Sequence, residues 1–282
     1  MNRRNFLRTT AGVAALGIGV SGLQTPAQDA TKKKIPIGVN LYYIRDAAAN
    51  DLGKLLKALA KMGYDGVEFS GYYGIVPKEI RKMLDDNGLK CCGTQTNLQA
   101  VIGDQFDNTV EIHKTLGTPF IIVPGGIDEA LSTRQGIELT AYLFNELAEK
   151  LNKAGMELGY HGHGDDFKKI DNETRWDRFF VRTQKNVLMQ MDTANCLEVG
   201  GDPYAPIAKF PGRSKTIHIK EWNDNRFPRV PIGEGKTEWN RLFELCETVG
   251  GTEWYIVEHD PGDARSLDGI EACIKNLRNM GK

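Results

Sequence analysis

Short apolar segments rich in β-branched residues alternate along the chain with longer segments in which apolar residues recur every three or four positions. In residues 52–62, for example, apolar side chains fall on one face of a helix. The pattern predicts strands at residues 35–43, 66–70, 90–97, 120–126, 156–163, 188–195, 216–222 and 254–259. It predicts helices at residues 52–62, 78–87, 106–116, 133–154, 176–183, 204–209, 239–248 and 267–280.

Eight strand–helix units in succession predict a parallel sheet covered by helices. Gly63, Gly88, Gly117 and Gly155 each follow a predicted helix closely, as helix-ending glycines do. Eight units in about 250 residues are typical of a closed (β/α)8 TIM barrel. An open doubly wound sheet is the alternative, but the first strand is followed by no Gly-x-Gly-x-x-Gly motif. We therefore predict one α/β barrel domain over residues 31–282.

Residues 1–30 have a different pattern, which predicts an export signal and a short linker. A basic head containing Arg3 and Arg4 precedes an apolar run of small residues at about 11–23. The arginine pair resembles a twin-arginine signal, so we expect export to the periplasm and cleavage near Ala27. A retained membrane anchor is the alternative. The apolar run is shorter than the roughly 20 residues that span a bilayer.

The composition excludes several classes of protein. The chain has 36 Lys and Arg against 37 Asp and Glu, a net charge of −1, so it lacks the basic surface that nucleic acid binding requires. Balanced charge and 9% aromatic residues exclude a disordered chain. The five cysteines are an odd number without zinc-finger spacing, and we expect them to be structural rather than catalytic.

Polar residues cluster at the carboxyl ends of the predicted strands, where TIM barrels place their active sites. His161, Asp192, His218 and Glu258 lie near the ends of four consecutive strands. Because strand side chains alternate between faces, these four are expected to share the inner face at similar depth. Two imidazoles and two carboxylates suit a divalent ion such as Mn²⁺, Zn²⁺, Co²⁺ or Fe²⁺. The sequence therefore predicts a metal centre.

Five short motifs in order carry a resemblance to a known family. They are Tyr160-His161-Gly162-His163, Met191-Asp192-Thr193-Ala194-Asn195, His218-Ile219-Lys220-Glu221, Gly233-Glu234-Gly235 and Val257-Glu258. From about residue 35 to the C-terminus, the chain resembles the sugar phosphate isomerase/epimerase family of xylose isomerase-like barrels. The resemblance implies one ion, Mn²⁺ first, held by a Glu, an Asp, a His and a second Glu. Asp192, His218 and Glu258 match the last three. His161 stands at the first position, as in a similar subgroup with Tyr-His-Asn-His.

The resemblance also implies roles for the residues around the ion. The ion would bind adjacent oxygens of a hydroxy-carbonyl sugar and stabilise an enediolate. Glu258 or a histidine would move the proton next to the carbonyl. Lys220 and His163 could bind substrate oxygens or stabilise negative charge. Glu68 could act as a second acid/base or complete the metal shell, and residues 229–235 could form a lid.

The expected substrate is a neutral free sugar, keto-sugar or glycoside derivative. Only Arg45 and Arg226 lie near predicted strand ends, which is few for a phosphate-binding site. Isomerisation, epimerisation, dehydration and β-elimination from a 3-keto-glycoside fit equally, and the oligomeric state is left open. We expect no nucleic acid partner, and membrane contact only through the signal segment.

Two other classes of protein are alternatives to an enzyme of sugar metabolism. A phosphodiester hydrolase similar to endonuclease IV would use a three-metal cluster and more histidines than the five present. A non-catalytic periplasmic carbohydrate-binding barrel would keep the pocket without the chemistry.

Overall fold

Eight parallel strands form the sheet, as predicted. The structure is a computed structural model that describes residues 34–170, 172–224, 230–260 and 267–282. The strands are β1 Ile37–Asn40, β2 Gly66–Phe69, β3 Lys90–Gln95, β4 Phe120–Val123, β5 Glu157–His161, β6 Val187–Gln190, β7 Thr216–Ile219 and β8 Trp254–Val257. Their order in the sheet is β6-β5-β4-β3-β2-β1-β8-β7.

The sheet closes between β6 and β7. Asp192 and His218 form a parallel bridge between the ends of these strands. The backbone N–H of His218 donates to Met191 at 2.9 Å, and that of Met189 donates to Arg213 at 2.7 Å. The predicted TIM barrel is therefore confirmed, and the open doubly wound sheet is excluded.

Helices and short turns connect the strands and cover the barrel. The α-helices are Arg45–Asn50, Leu52–Met62, Pro77–Asp86, Gln105–Leu116, Arg134–Lys153, Gly164–Phe167, Arg175–Arg182, Thr193–Leu197, Tyr204–Lys209, Trp239–Leu245 and Asp268–Asn279. Short 3-10 helices lie at Tyr42–Ile44, Leu98–Val101 and Ala130–Ser132, and a π-helix lies at Cys246–Gly250. Lys169–Ile170 pairs antiparallel with Glu173–Thr174. Within the described ranges, none of the helices combines the length and the apolar character that crossing a membrane requires.

The buried apolar side chains form two clusters. The larger cluster lies between the strands and the helices and includes Phe144, Tyr160 and Phe179, whose rings meet edge to face. The smaller one is contributed by strand positions of the inner face: Cys92, Phe120, Leu188, Trp254 and Ile256. We call this smaller cluster the barrel floor. On β8, Trp254 and Ile256 belong to the floor, and Glu258 is the next residue of the same alternating face.

All eight strands end earlier than the apolar pattern predicted, by one to five residues, and the local cause is visible at β6 and β1. The strand predicted at 188–195 ends at Gln190, because Asp192 caps the helix Thr193–Leu197 by accepting from the backbone N–H of Asn195 at 2.7 Å. The strand predicted at 35–43 ends at Asn40 and continues into a 3-10 helix.

The remaining sequence predictions concern glycines, cysteines and parts of the chain that the structure does not describe. Gly63 and Gly117 end helices in the left-handed conformation, as expected, with φ of 98° and 75°. The five cysteines are free and buried. The signal segment 1–30, Arg226 and the first residue of the 229–235 segment, Arg229, lie outside the described residues.

His113 is a buried group whose protonation should control stability. Its Nδ1 donates to the carbonyl of Thr109 at 2.7 Å, and its Nε2 lies 2.6 Å from the hydroxyl of Thr94. Burial lowers the pKa of His113 to about 4, although the bond to Thr109 opposes the shift. Between that value and the usual pKa near 6.5, the unfolded chain binds a proton that the folded chain excludes.

The free energy of unfolding should therefore fall as the pH drops from about 6.5 towards 4, by up to about 1.4 kcal/mol per pH unit from this group. His113→Gln should lose this contribution. Urea unfolding of both proteins at about pH 7 and about pH 5 measures the difference. Equal changes in stability for the two proteins would show that His113 is not responsible.

Candidate metal centre and active site

Four side chains predicted as metal ligands converge at the carboxyl end of the barrel. His161, Asp192, His218 and Glu258 each offer one ligand atom, and these atoms all lie within 4.8 Å of one another. All four residues are buried. Strand register brings them together, because Asp192 pairs with His218 and Glu258 follows β8, which pairs with β7.

One buried carboxylate oxygen of Asp192 has no hydrogen-bond donor within the described residues. Its Oδ1 accepts from the backbone N–H of Asn195, but its Oδ2 is enclosed and has no hydrogen-bond partner within the described ranges. Burial raises the pKa of Asp192, while Lys220 acts in the opposite direction. An enclosed acceptor without a donor costs about 1–3 kcal/mol, and a cation between the four side chains would remove that cost. The residues present therefore fit a divalent ion.

The two imidazoles are held in different ways. His218 lies between two carboxylates, with Nδ1 2.7 Å from Oε2 of Glu258 and Nε2 2.6 Å from Oε2 of Glu68. Burial alone would lower its pKa, but Glu68 and Glu258 raise the pKa of His218 to about 10. Nδ1 of His161 lies 3.0 Å from Oε1 of Gln190. Burial and the neighbouring His218 hold the pKa of His161 well below its usual range, which keeps it neutral, as a metal ligand must be.

Lys220 and Glu258 form a buried ion pair beside the cluster. Nζ of Lys220 lies 2.7 Å from Oε1 of Glu258 and 4.8 Å from the ring centre of Tyr43. Burial opposes both charges. Nevertheless Glu258 and Asp192 raise the pKa of Lys220, and Lys220 and His218 hold the pKa of Glu258 well below its usual range. The lysine is therefore a fixed cation, and Glu258 is ionised.

A cavity of about 410 Å³ opens next to the cluster. It is lined by Tyr42, Tyr43, Ser70, Gln95, Pro124, His161, His163, Asn195, Lys220 and Glu258. This volume is typical of small-molecule sites, and its lining is rich in hydroxyl and amide groups. His163, one of the predicted site residues, is exposed at the rim, and its ring centre lies 5.0 Å from that of His161.

Glu68, which was also predicted, lies inside the barrel and not in the cluster of four. It is fully buried and accepts hydrogen bonds from Asn40 and Gln190, both at 2.7 Å. Gln190 and Tyr43 were missed by the sequence analysis. Gln190 carries a recoverable signal, since it is a polar residue in an apolar strand two positions before Asp192 and so on the same face.

The described part of the predicted lid, residues 230–235, does not contribute to the wall of this cavity. Its backbone is bound from below by the buried Glu221, which accepts from the N–H of Gly233 at 2.7 Å. Arg45 stacks on Tyr42 and donates to its carbonyl, so it does not line the cavity either.

Comparison with known proteins agrees with this architecture. The inosose dehydratase of Erwinia tasmaniensis is 23% identical over 270 residues, which cover 81% of this chain and 89% of that protein. The crystal structure of a sugar phosphate isomerase/epimerase from Parabacteroides distasonis superposes with a TM-score of 0.73 at 22% identity, covering 87% of this chain and 98% of the other. The IOLI protein, solved with a zinc atom, superposes with a TM-score of 0.67 at 14% identity, covering 87% and 97%.

One comparison assigns the family directly. The family model described as xylose isomerase-like TIM barrel matches residues 56–278, which include β2 to β8 and all four converging side chains. The chain therefore belongs to the xylose isomerase-like TIM barrel family.

Proposed function

We propose that this protein is an exported, divalent metal-dependent enzyme that acts on a free sugar or keto-sugar through an enediolate, as an isomerase or epimerase. The observation that carries the proposal is the unsatisfied Oδ2 of Asp192 among four converging ligand atoms beside a polar cavity. When bound there, a divalent ion would supply Lewis-acid polarisation of the substrate's hydroxyl and carbonyl oxygens. Mn²⁺ is our first choice, with Zn²⁺, Co²⁺ and Fe²⁺ as alternatives.

The side chains around the cavity have separate proposed roles in charge stabilisation, ligation and proton transfer. Lys220 is a fixed cation at the cavity wall and would stabilise negative charge that develops on a substrate oxygen. Glu258 is a poor base because Lys220 and His218 stabilise its ionised form, so we assign it to ligation. His163 lies at the rim and offers an imidazole to the cavity, and we assign it the proton next to the carbonyl.

A neutral substrate is supported by the charges in the cavity wall. Its lysine is already paired with Glu258 at 2.7 Å, and no arginine is among the described residues that line it. A phosphate group would need several free cationic or N–H donors. Tyrosine, serine and amide side chains instead match the hydroxyl groups of a sugar.

A second candidate function is a lyase, either a dehydratase or an enzyme that eliminates from a 3-keto-glycoside. It is favoured by the similarity to inosose dehydratase, which covers most of both chains. Elimination and isomerisation begin alike: the C–H bond next to the carbonyl breaks, its proton goes to the base, and its electron pair moves towards the carbonyl oxygen. They differ in whether the proton returns or a β-oxygen leaves.

The proposed metal site predicts that Asp192→Asn loses the ion. Substitutions outside the ligand shell typically lower metal affinity about 10–100-fold, and we expect a larger loss from this substitution of a ligand. Elemental analysis and chelator competition measure it. Asp51→Asn is the matched control, because Asp51 caps the helix Leu52–Met62 by the same bond, from Lys54 N–H at 2.9 Å. Equal metal content in the two variants would contradict the site.

The proposed chemistry predicts exchange of the proton next to the carbonyl in D₂O. Free ketoses, 3-keto-glycosides and inososes, incubated with the Mn²⁺-loaded protein, should reveal the reactive class by NMR. A rearranged sugar carrying deuterium identifies an isomerase or epimerase, and the absorbance of a conjugated enone identifies a lyase. Absence of exchange with every compound would favour the carbohydrate-binding barrel instead.

In the same assay, His163→Gln should slow exchange by about 10²–10⁴-fold, the usual contribution of general acid–base catalysis. Its metal content should not change, since His163 lies outside the four ligands. His113→Gln makes the same substitution in the helix Gln105–Leu116 and should leave exchange intact. Unaltered exchange in His163→Gln would assign the proton to another group.

Export is proposed from residues 1–30 alone. Arg3→Lys together with Arg4→Lys should retain the protein in the cytoplasm, because a twin-arginine signal requires the arginine pair. Cell fractionation measures the distribution of both precursors. Equal periplasmic yield from the two would refute this route.

A further inference from the structure

We infer that Glu68 and Gln190 act as one unit that selects the ring nitrogen through which each histidine binds the ion. The inference rests on the proposed metal site and assigns both as positioning residues rather than ligands. Neither belongs to the cluster of four, and both are fully buried beneath it.

Glu68 determines the orientation of His218. Its Oε2 lies 2.6 Å from Nε2, and a carboxylate at that distance accepts a hydrogen bond from an N–H group. Nδ1 also donates to a carboxylate, that of Glu258 at 2.7 Å, but Glu258 is a member of the cluster of four and Glu68 is not. A bound ion would therefore displace the proton on Nδ1, and the proton on Nε2 would stay with Glu68. Without the acceptor at Glu68, the proton could occupy either nitrogen.

Gln190 performs the same task for His161. Its Oε1 lies 3.0 Å from Nδ1 of His161, so the amide oxygen accepts the proton there and leaves Nε2 for the ion. The amide can do this only with its oxygen towards the imidazole. That orientation is imposed by Glu68, because a carboxylate only accepts and its Oε1 receives a hydrogen bond from Nε2 of Gln190 at 2.7 Å. The same Nε2 also donates to the hydroxyl of Thr216 at 3.0 Å.

The two histidines are thus coupled through one carboxylate. Glu68 binds His218 with one oxygen and fixes the amide that binds His161 with the other. Asn40 donates to the same Oε2 at 2.7 Å and completes the set of donors around the carboxylate. Strand register holds the partners level, because Asn40 pairs with Glu68 and His161 pairs with Gln190.

The donor–acceptor pattern makes a specific prediction. Glu68→Gln introduces an NH₂ group into a place where every neighbour donates, so the side chain must turn a donor towards either His218 or Gln190. We expect Zn²⁺ affinity to fall about 10–100-fold. Adding Gln190→Glu restores the pattern: the new amide at 68 donates to the new carboxylate at 190, which still accepts from His161. The double variant should recover most of the affinity.

Two readouts test this in the purified full-length protein. Competition with a chromophoric chelator gives the Zn²⁺ affinity, and the visible absorption of bound Co²⁺ reports the ligand set. In Glu68→Gln the Co²⁺ spectrum should change, because His218 no longer presents Nδ1. If Glu68 contributed only to stability, the Glu68→Gln protein that binds Co²⁺ would have the same spectrum as the wild type. Glu157→Gln removes a carboxylate at the opposite end of β5, away from Glu68 and Gln190, and should alter neither readout.

Each outcome decides a separate point. Wild-type protein that binds neither Zn²⁺ nor Co²⁺ would overturn the proposed metal site and this inference with it. Wild-type binding with an unchanged affinity in Glu68→Gln would overturn the inference alone. If Glu68→Gln does not fold, the double variant carries the test: wild-type affinity supports the coupling, and weak binding refutes it.

Discussion

Three polar side chains at the centre of the barrel are completely enclosed, and each of their donors and acceptors is matched by another side chain. Glu68, Gln190 and His218 are 0% exposed. Removing one partner from such a buried, charged network costs about 3–5 kcal/mol, which makes alternative side-chain arrangements unfavourable. The network therefore holds both imidazoles in place without an ion. The cluster of four side chains above it depends on this arrangement.

The depth of the site follows from the alternation of side chains along the inner face. Leu188 on β6 and Ile256 on β8 belong to the barrel floor, and the next residues of the same face, Gln190 and Glu258, begin the polar part. Beyond Gln190, Asp192 both bridges to β7 and caps a helix. One carboxylate thus terminates a strand, starts a helix and directs its second oxygen into the centre.

His161 stands where the family resemblance implies a glutamate, and this difference affects the charge of the centre. The resemblance to sugar phosphate isomerase/epimerases implies three carboxylates and one imidazole, whereas this chain brings together two of each, and both carboxylates interact electrostatically with Lys220. Two carboxylates would balance the charge of one divalent ion, so Lys220, although paired with Glu258, adds one net positive charge to the centre beside an oxygen that becomes negative. The imidazole also gives Gln190 its role, because a neutral ligating imidazole has an N–H group that needs an acceptor, whereas the second oxygen of a ligating carboxylate needs a donor.

The pattern of apolar and polar residues determined the barrel and most of the site. Eight β-α units could form a closed sheet, and the period of two along each strand placed His161, Asp192, His218 and Glu258 on one inner face. These properties are local, so a single chain reveals them. The ends of the strands were less predictable. At Asp192 the apolar pattern favours a longer strand, whereas the aspartate side chain favours a helix N-cap, and the local sequence is compatible with both.

Only the tertiary structure decided which of the inward side chains line the cavity and which lie beneath the cluster of four. Glu68 and His163 are alike in sequence terms, each a polar residue at a strand end. The register of β2 against β1 places Glu68 behind His218, whereas the chain beyond β5 carries His163 to the rim. Contacts across 150 positions of sequence, such as that between Glu68 and His218, arise when the barrel closes. Their physical origin is strand register and enclosure, and neither is encoded in the neighbours of a residue along the chain.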